Sequence, residues 1–257
     1  MKYLSSITIC LLFFGSALQA QLNTKNQNEL DHINYMTNPD QPKVTGTGEP
    51  VEEIRQLNAP YQKLILGNGI QVFVTKEASK ELRLVAQKEL LPLINTTVKD
   101  ATLIVRLDGS LETYKGIKLY LPLGELSNIN VKQGSYLSLD AQIDQLDLLI
   151  QSGAIAQCLI QSQELNCTVM GGSTLHLKGE SSQKANIFVK GGSELKGEQF
   201  QCADGDITVL GASRCRLKVV KHLDARVENE SKFVYTGSPK IGKKSTSLNG
   251  KIRHRRF

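Results

Sequence analysis

Nine residues, Gly237-Ser238-Pro239-Lys240-Ile241-Gly242-Lys243-Lys244-Ser245, come within one substitution of a phosphate-binding loop. In that motif a lysine reaches the phosphates and the hydroxyl directly after it binds magnesium, but here Lys244 stands where the hydroxyl is needed. No helical pattern follows to aim backbone N–H groups at a phosphate, so the segment reads as a turn before a last strand. Two acidic groups, Asp140/Asp144/Asp147 and Asp204/Asp206, are of the kind that hold calcium in polysaccharide lyases while a basic residue abstracts a proton. They are not expected to share one outward column across adjacent coils, and so read as solvated surface charges. His32, His176, His222 and His254 are scattered through leader, strand, loop and tail, with no Ser-His-acid or metal-ligand spacing. The sequence therefore assigns no catalytic, metal or cofactor-binding residue, and no cofactor is expected.

Charge gives a more definite signal. The 257-residue chain has a formal net charge of +6, and residues 240–257 carry seven lysines and arginines with no acid. Lys243, Lys244, Lys251, Arg253, Arg255 and Arg256 are the candidate contacts for an anionic polysaccharide or an envelope surface. At an exposed sheet edge the same cations would also discourage end-to-end growth, and both roles stay open. Nucleic acid is not an expected partner, because no aromatic residues interleave with the charges.

Composition narrows the class. With 40% hydrophobic and 22% charged residues the chain is too apolar for disorder and too mixed for a membrane protein. Residues 1–20 read as a signal peptide: Lys2, an apolar run from Tyr3 to Phe14, and Ala17-Leu18-Gln19-Ala20 before the expected cleavage. That run is shorter than the ~20 residues a bilayer span needs. The protein is expected to be exported (periplasmic, cell-surface or secreted), with no transmembrane segment in the mature chain. Export would let Cys158, Cys167, Cys202 and Cys215 form disulfides, although their spacings fit no zinc site.

Residues 21–43 are polar and read as a flexible leader, and 44–125 as a strand-rich part. Strands are expected over Val44–Leu57, Tyr61–Leu66, Ile70–Thr75, Leu82–Ala86, Thr102–Leu107 and Ile117–Leu121. Gly67-Asn68-Gly69 and Asp108-Gly109-Ser110 look like turns, and Pro92 shortens a helical hint at Lys88–Ile94. Residues 126–252 hold an internal repeat. Triplets ending at Ser135, Ala154, Ser173, Ser193, Ser213, Ser231 and Gly250 recur every 18–20 residues. Four residues before each triplet's end stand Val131, Ile150, Val169, Val189, Val209 and Val227; two after it stand Leu137, Ala156, Leu175, Leu195, Cys215, Phe233 and Ile252. Period two on both sides of a small corner means strand, corner, strand. Gly171, Gly191, Gly211 and Asn229 form the corner column, since all four tolerate positive φ. Gln133, Ser152 and Leu248 suit it less well, so the end coils are expected to turn differently.

Coils of ~19 residues stacked ~4.8 Å apart make a parallel β-solenoid, in which like side chains lie over like. A β-sandwich has no reason to repeat one corner triplet at that period. On these columns no cysteine lies over another, so Cys158, Cys167 and Cys215 read as small core residues, with Cys202 in an irregular insertion. Residues 253–257 are left as a basic tail.

Gly69-Ile70-Gln71-Val72, Leu90–Thr97, Thr102-Leu103-Ile104-Val105, Leu119–Pro122, the repeated Gly-Gly-Ser corners and Tyr235-Thr236-Gly237-Ser238-Pro239-Lys240 follow one another in a distinctive order. In that order the chain resembles the family of exported bacterial proteins described as "putative auto-transporter adhesin, head GIN domain", over residues 44–252. The resemblance implies a right-handed parallel β-helix and a surface or periplasmic location, and supplies no catalytic residues. The expected function is an exported, non-enzymatic β-solenoid that binds at the envelope surface as an adhesin does. The alternatives are a lyase-like carbohydrate-active enzyme on the same scaffold and a structural protein polymerising end to end.

Overall fold

The computed structural model describes residues 43–76 and 79–255. The expected signal peptide, the polar leader through residue 42 with His32, and Arg256 lie outside the described residues. The chain runs through β1 (Lys43–Thr45), β2 (Val51–Gln56), β3 (Lys63–Leu66), β4 (Gln71–Thr75) and β5 (Glu81–Ala86) to a single 3-10 turn, Leu91–Leu93, built around Pro92. It continues through β6 (Ile94–Lys99), β7 (Thr102–Leu107), β8 (Ser110–Thr113) and β9 (Lys118–Pro122). The regular part follows: β10 (Asn128–Val131), β11 (Tyr136–Gln142), β12 (Gln145–Gln151), β13 (Ile155–Met170), β14 (Thr174–Lys190), β15 (Glu194–Leu210), β16 (Arg214–Glu228), β17 (Lys232–Thr236), β18 (Lys240–Ser247) and β19 (Lys251–His254).

From β10 onward the strands form a parallel β-solenoid of about seven turns. Each of β13 to β16 closes one coil with its first half and opens the next with its second. The register puts like on like: Ile150 pairs with Val169, Val169 with Val189, Val189 with Val209 and Val209 with Val227. All five are fully buried, and each is worth roughly 1.5–3 kcal/mol relative to exposure. Side chains that alternate with them face solvent, as period two requires. Each coil thus has a first face before the corner and a second face after it. A short third side, which includes Ile160, Phe200, Cys202 and Val219, closes the core.

The four cysteines lie in this core as free thiols. Cys158 pairs with Leu139 and Leu177, Cys167 with Leu148 and Ile187, and Cys215 with Leu195 and Phe233. Cys202 lies, as expected, in an irregular stretch, between two register shifts, and is buried between Ser181 and Val219 on the third side. Removal from water pushes the Cys167 and Cys202 thiols up to about 12, and raises Cys158 and Cys215 as well.

The corners correct the expectation for the end coils. Two consecutive residues take positive φ in every one: Gln133-Gly134, Ser152-Gly153, Gly171-Gly172, Gly191-Gly192, Gly211-Ala212, Asn229-Glu230 and Leu248-Asn249. Asn68-Gly69 does the same between β3 and β4. The reason is a continuous hydrogen-bond ladder around the bend: the N–H of Gly134 donates to Ser152, Gly153 to Gly171, Gly172 to Gly191, Gly192 to Gly211, Ala212 to Asn229 and Glu230 to Leu248. Keeping that ladder outweighs the cost of about 1–2 kcal/mol for a side chain in the left-handed region. Serine closes the triplet for a related reason. The Ser173, Ser193 and Ser213 N–H groups donate to the hydroxyls of Ser193, Ser213 and Ser231 in the next coil, at 3.1–3.2 Å. All four are buried, so the hydroxyls satisfy donors that water does not reach.

The region before β10 extends the stack out of chain order. β3 pairs in parallel with both β10 and β7, and β4 with both β11 and β9, so the coil of residues 63–75 lies between coil 102–122 and coil 128–142. Antiparallel strands finish this end: β5 pairs with β9, β2 with β5, and β6 folds back on β7. The expected strand Val44–Leu57 is split at Gly46–Pro50, and its first piece pairs with β8.

Candidate functional site

The first and second faces carry different chemistry. On the first, one outward column reads Gln145, Glu164, Lys184, Asp204, His222, Lys240. From Glu164 to Asp204 the sign alternates from coil to coil. The next column reads Asn128, Asp147, Asn166, Asn186, Asp206, Asp224. Within it the Asn166 amide donates to Asp147 at 2.8 Å and the Asn186 amide to Asn166 at 2.7 Å. Asp224 accepts from the Lys243 N–H, where β18 bulges to meet it. As expected, none of Asp140, Asp144, Asp147, Asp204 and Asp206 meets another on one column in adjacent coils: Asp147 and Asp206 share a column but stand three coils apart, and the acidic neighbour of Asp206 is Asp224.

This face holds the arrangement nearest to catalysis. His222, which lies on β16 and not in a loop, has Nδ1 3.0 Å from Asp204 Oδ1. Their side chains are 62% and 49% exposed, so nothing shields a reacting atom from water in the way that preorganised active sites do. Among the described residues no group of three or more His, Cys, Asp or Glu side chains is placed to hold a metal ion.

The second face is basic over its later coils. One column reads Tyr136, Ile155, Thr174, Glu194, Arg214, Lys232, Lys251, and the next Ser138, Gln157, His176, Lys196, Arg216, Val234, Arg253. Lys218 follows along β16. Arg216 bridges to Glu194 at 3.3 Å and to Glu198 at 3.1 Å. Among the described residues no ion pair involves Arg214, Lys218, Lys232, Lys251 or Arg253. At the other end of this face Phe73 stacks on Tyr120 with centroids 5.1 Å apart, and Arg83 lies 4.1 Å over the Tyr120 ring.

The candidate residues from the basic terminus divide between the two faces. Lys243 and Lys244 lie on β18, whose residues are all exposed, and Lys251 and Arg253 on β19; Arg255 follows, its N–H bonded to Tyr235. Arg253 and His254 are thus strand residues rather than tail. Lys244 pairs with Ala225 and Thr246 with Val227, so polar residues occupy columns that are apolar in every earlier coil. His254 does the same on the other side, stacking on Tyr235 at 4.7 Å while its Nε2 meets the Gly237 carbonyl at 2.7 Å. The near-miss phosphate motif runs from a bend at Gly237 into β18, with no helix. The corner residues Gly171, Gly191, Gly211 and Asn229 form a structural ridge. A shallow depression beside it is lined by Gly211, Ala212, Asn229, Glu230, Leu248 and Asn249.

Reading the sequence singled out the cations of the terminus, Lys251 and Arg253 of the second face among them, and missed Arg214, Arg216, Lys218 and Lys232 on that face. Arg214, Lys232 and Lys251 stand at one repeat position, so the columns already laid out would have found them.

Comparison with known proteins agrees with this architecture. The profile of the family described as "putative auto-transporter adhesin, head GIN domain" matches residues 60–239. A solved structure described as a "putative adhesin" from Bacteroides fragilis superposes with a TM-score of 0.73 at 20% identity, covering 83% of this chain and all of that one. A "putative lipid binding protein" from Parabacteroides distasonis gives 0.66 at 16% identity, with 83% and 100% covered. A "putative adhesin" from the same organism gives 0.61 at 13%, again with 83% and 100% covered. Among proteins with curated descriptions none is detectably similar in sequence.

Proposed function

The chain belongs to the auto-transporter adhesin head GIN domain family, and from that premise we propose that it is an exported, non-enzymatic β-solenoid that binds at the bacterial envelope surface. The observation that carries this reading is the last coil, where Lys240, Lys243, Lys244, Lys251 and Arg253 stand exposed on neighbouring strands. Such a cluster attracts anionic surface groups and loses that attraction as salt rises. The apolar run of residues 1–20 supports export. Family membership supports an adhesin-like role over an enzymatic one, and the open His222–Asp204 pair gives a lyase no enclosed site. Polar Lys244 and Thr246 in core columns weigh against end-to-end polymerisation, since they interrupt the apolar columns that a further coil would continue.

Fractionation of cells producing the tagged protein, followed by cross-linking, tests the reading. Recovery with the envelope or the medium is expected, with binding to isolated envelope reduced by Lys243→Ser/Lys244→Ser/Lys251→Ser. Recovery in the cytosol, or envelope binding at background in low salt, would overturn it.

A further inference from the structure

We infer that the second face of the last coils binds a linear polysaccharide bearing carboxylate or sulfate groups, laid along the solenoid axis. This deepens the surface-binding reading and rests on it, but moves the principal contact from the outer edge of the last coil to the side of the stack.

The argument begins with a cost. Arg214, Lys232 and Lys251 occupy one column in three successive coils, at the ~4.8 Å strand spacing. Like charges directly opposite one another on neighbouring strands destabilise a sheet. The first face shows how the same scaffold limits this, by alternating Glu164, Lys184 and Asp204, by hydrogen-bonding Asn186, Asn166 and Asp147, and, where Asp206 meets Asp224, by giving Asp224 the Lys243 N–H. Nothing in the core requires cations on the second face, since these side chains point outward. A polyanion running parallel to the axis removes the repulsion. An extended glycan advances by a comparable length per sugar, so its acidic groups meet the rows in step.

Chemistry narrows the class further. Arg214, Arg216 and Arg253 present planar guanidinium forks, which match carboxylate and sulfate oxygens two at a time. Toward the earlier coils the same columns pass Glu194 and Lys196 and continue as Thr174, His176 and Gln157, whose donors and acceptors suit sugar hydroxyls. A bilayer fits less well. The exposed apolar residues of the later coils, Val220, Ile241 and Leu248, stand outside these columns, and Val234, between Arg216 and Arg253, is half-buried, so the columns present no protruding apolar wedge.

The test is calorimetric titration of the purified chain with polygalacturonate fragments of graded length. Dextran, phosphatidylcholine vesicles with and without phosphatidylglycerol, and duplex DNA serve as comparison probes. Polygalacturonate is expected to bind, more tightly as fragments lengthen and less tightly as salt rises, while dextran does not. Arg214→Glu/Lys232→Glu is expected to weaken binding by about tenfold or more, and the charge-matched first-face pair Lys184→Glu/Lys190→Glu by less than about twofold. Should the reversal impair folding, as judged by circular dichroism, Arg214→Gln/Lys232→Gln supplies the same comparison with a smaller loss. Polygalacturonate binding that ignores both second-face variants, or binding to anionic vesicles or DNA that equals or exceeds it, overturns the inference. Loss confined to Lys243→Ser/Lys244→Ser overturns it and leaves the surface-binding reading standing. Failure to bind any of these probes or isolated envelope overturns both.

Discussion

The two faces share one core, one corner and one strand spacing, yet they treat charge in opposite ways. The first pairs Glu164 with Lys184 and Lys184 with Asp204, and passes hydrogen bonds from Asn186 to Asn166 to Asp147. Its outward columns thus alternate in sign or are joined by hydrogen bonds. On the second face, Arg214 lies against Lys232 and Lys232 against Lys251. A parallel ladder amplifies whatever stands at a repeat position, because every residue meets its equivalents at ~4.8 Å above and below. A column of like charge is therefore a feature that folding alone would not favour, and its presence on one face points away from stability and toward a partner.

Several measurements can break or sharpen that contrast. The largest expected effect lies where the second face bends into the third side. Gly179 has φ +102, and a Cβ there would come within 1.9 Å of the Ile160 carbonyl oxygen. Gly179→Ala should cost at least about 3 kcal/mol in urea unfolding. A loss of a few tenths would mean that the bend is soft and that the two faces are less rigidly related than argued.

The shared core comes next. Burial holds the Cys167 and Cys202 thiols near 12, against an ordinary value of 9.0. Between those values the unfolded thiols ionise while the native ones stay protonated. The stability they lend is therefore complete below pH 9 and lost progressively as pH rises from about 9 toward 12. At pH 8 a disulfide reagent should label none of the four in the native protein and all four in denaturant. Native labelling would show the core to be open on one side.

A smaller effect separates the faces directly. Asn186→Leu removes a donor from the first-face ladder and should destabilise by about 1 kcal/mol. Arg214→Gln on the second face should instead raise stability by a few tenths of a kcal/mol at low salt, fading at high salt. If Arg214→Gln destabilises as Asn186→Leu does, its cation is structural and the contrast collapses.

Much of this was legible before any coordinates. The valines at 169, 189 and 209 share a repeat position, and period two makes that position inward, so their stacking follows from pattern alone. The free cysteines follow in the same way, since no two stand on one column. The corners were half legible. Glycine at 171, 191 and 211 announced positive φ, but Gln133, Ser152 and Leu248 did not, because the inter-coil ladder that forces them into that region is a contact between coils. Asp204 and Asp206 fall on separate columns, as expected, while the approach of Asp206 to Asp224, 18 residues on, is visible only by following a column and not by nearness in sequence.

The sequence by itself determined the repeat, the buried columns and the outward columns, because a parallel ladder turns spacing into contact with no further information. Tertiary structure alone decided how the stack begins. Coil 63–75 lies between two later coils, and antiparallel strands complete that end, an order set by which edges the irregular first third could cover. It also decided that the cations of the terminus divide between two faces, Lys243 and Lys244 on the first and Lys251 and Arg253 on the second. A bulge or shifted register changes which residues align, and pairing energy settles that only when the coils meet.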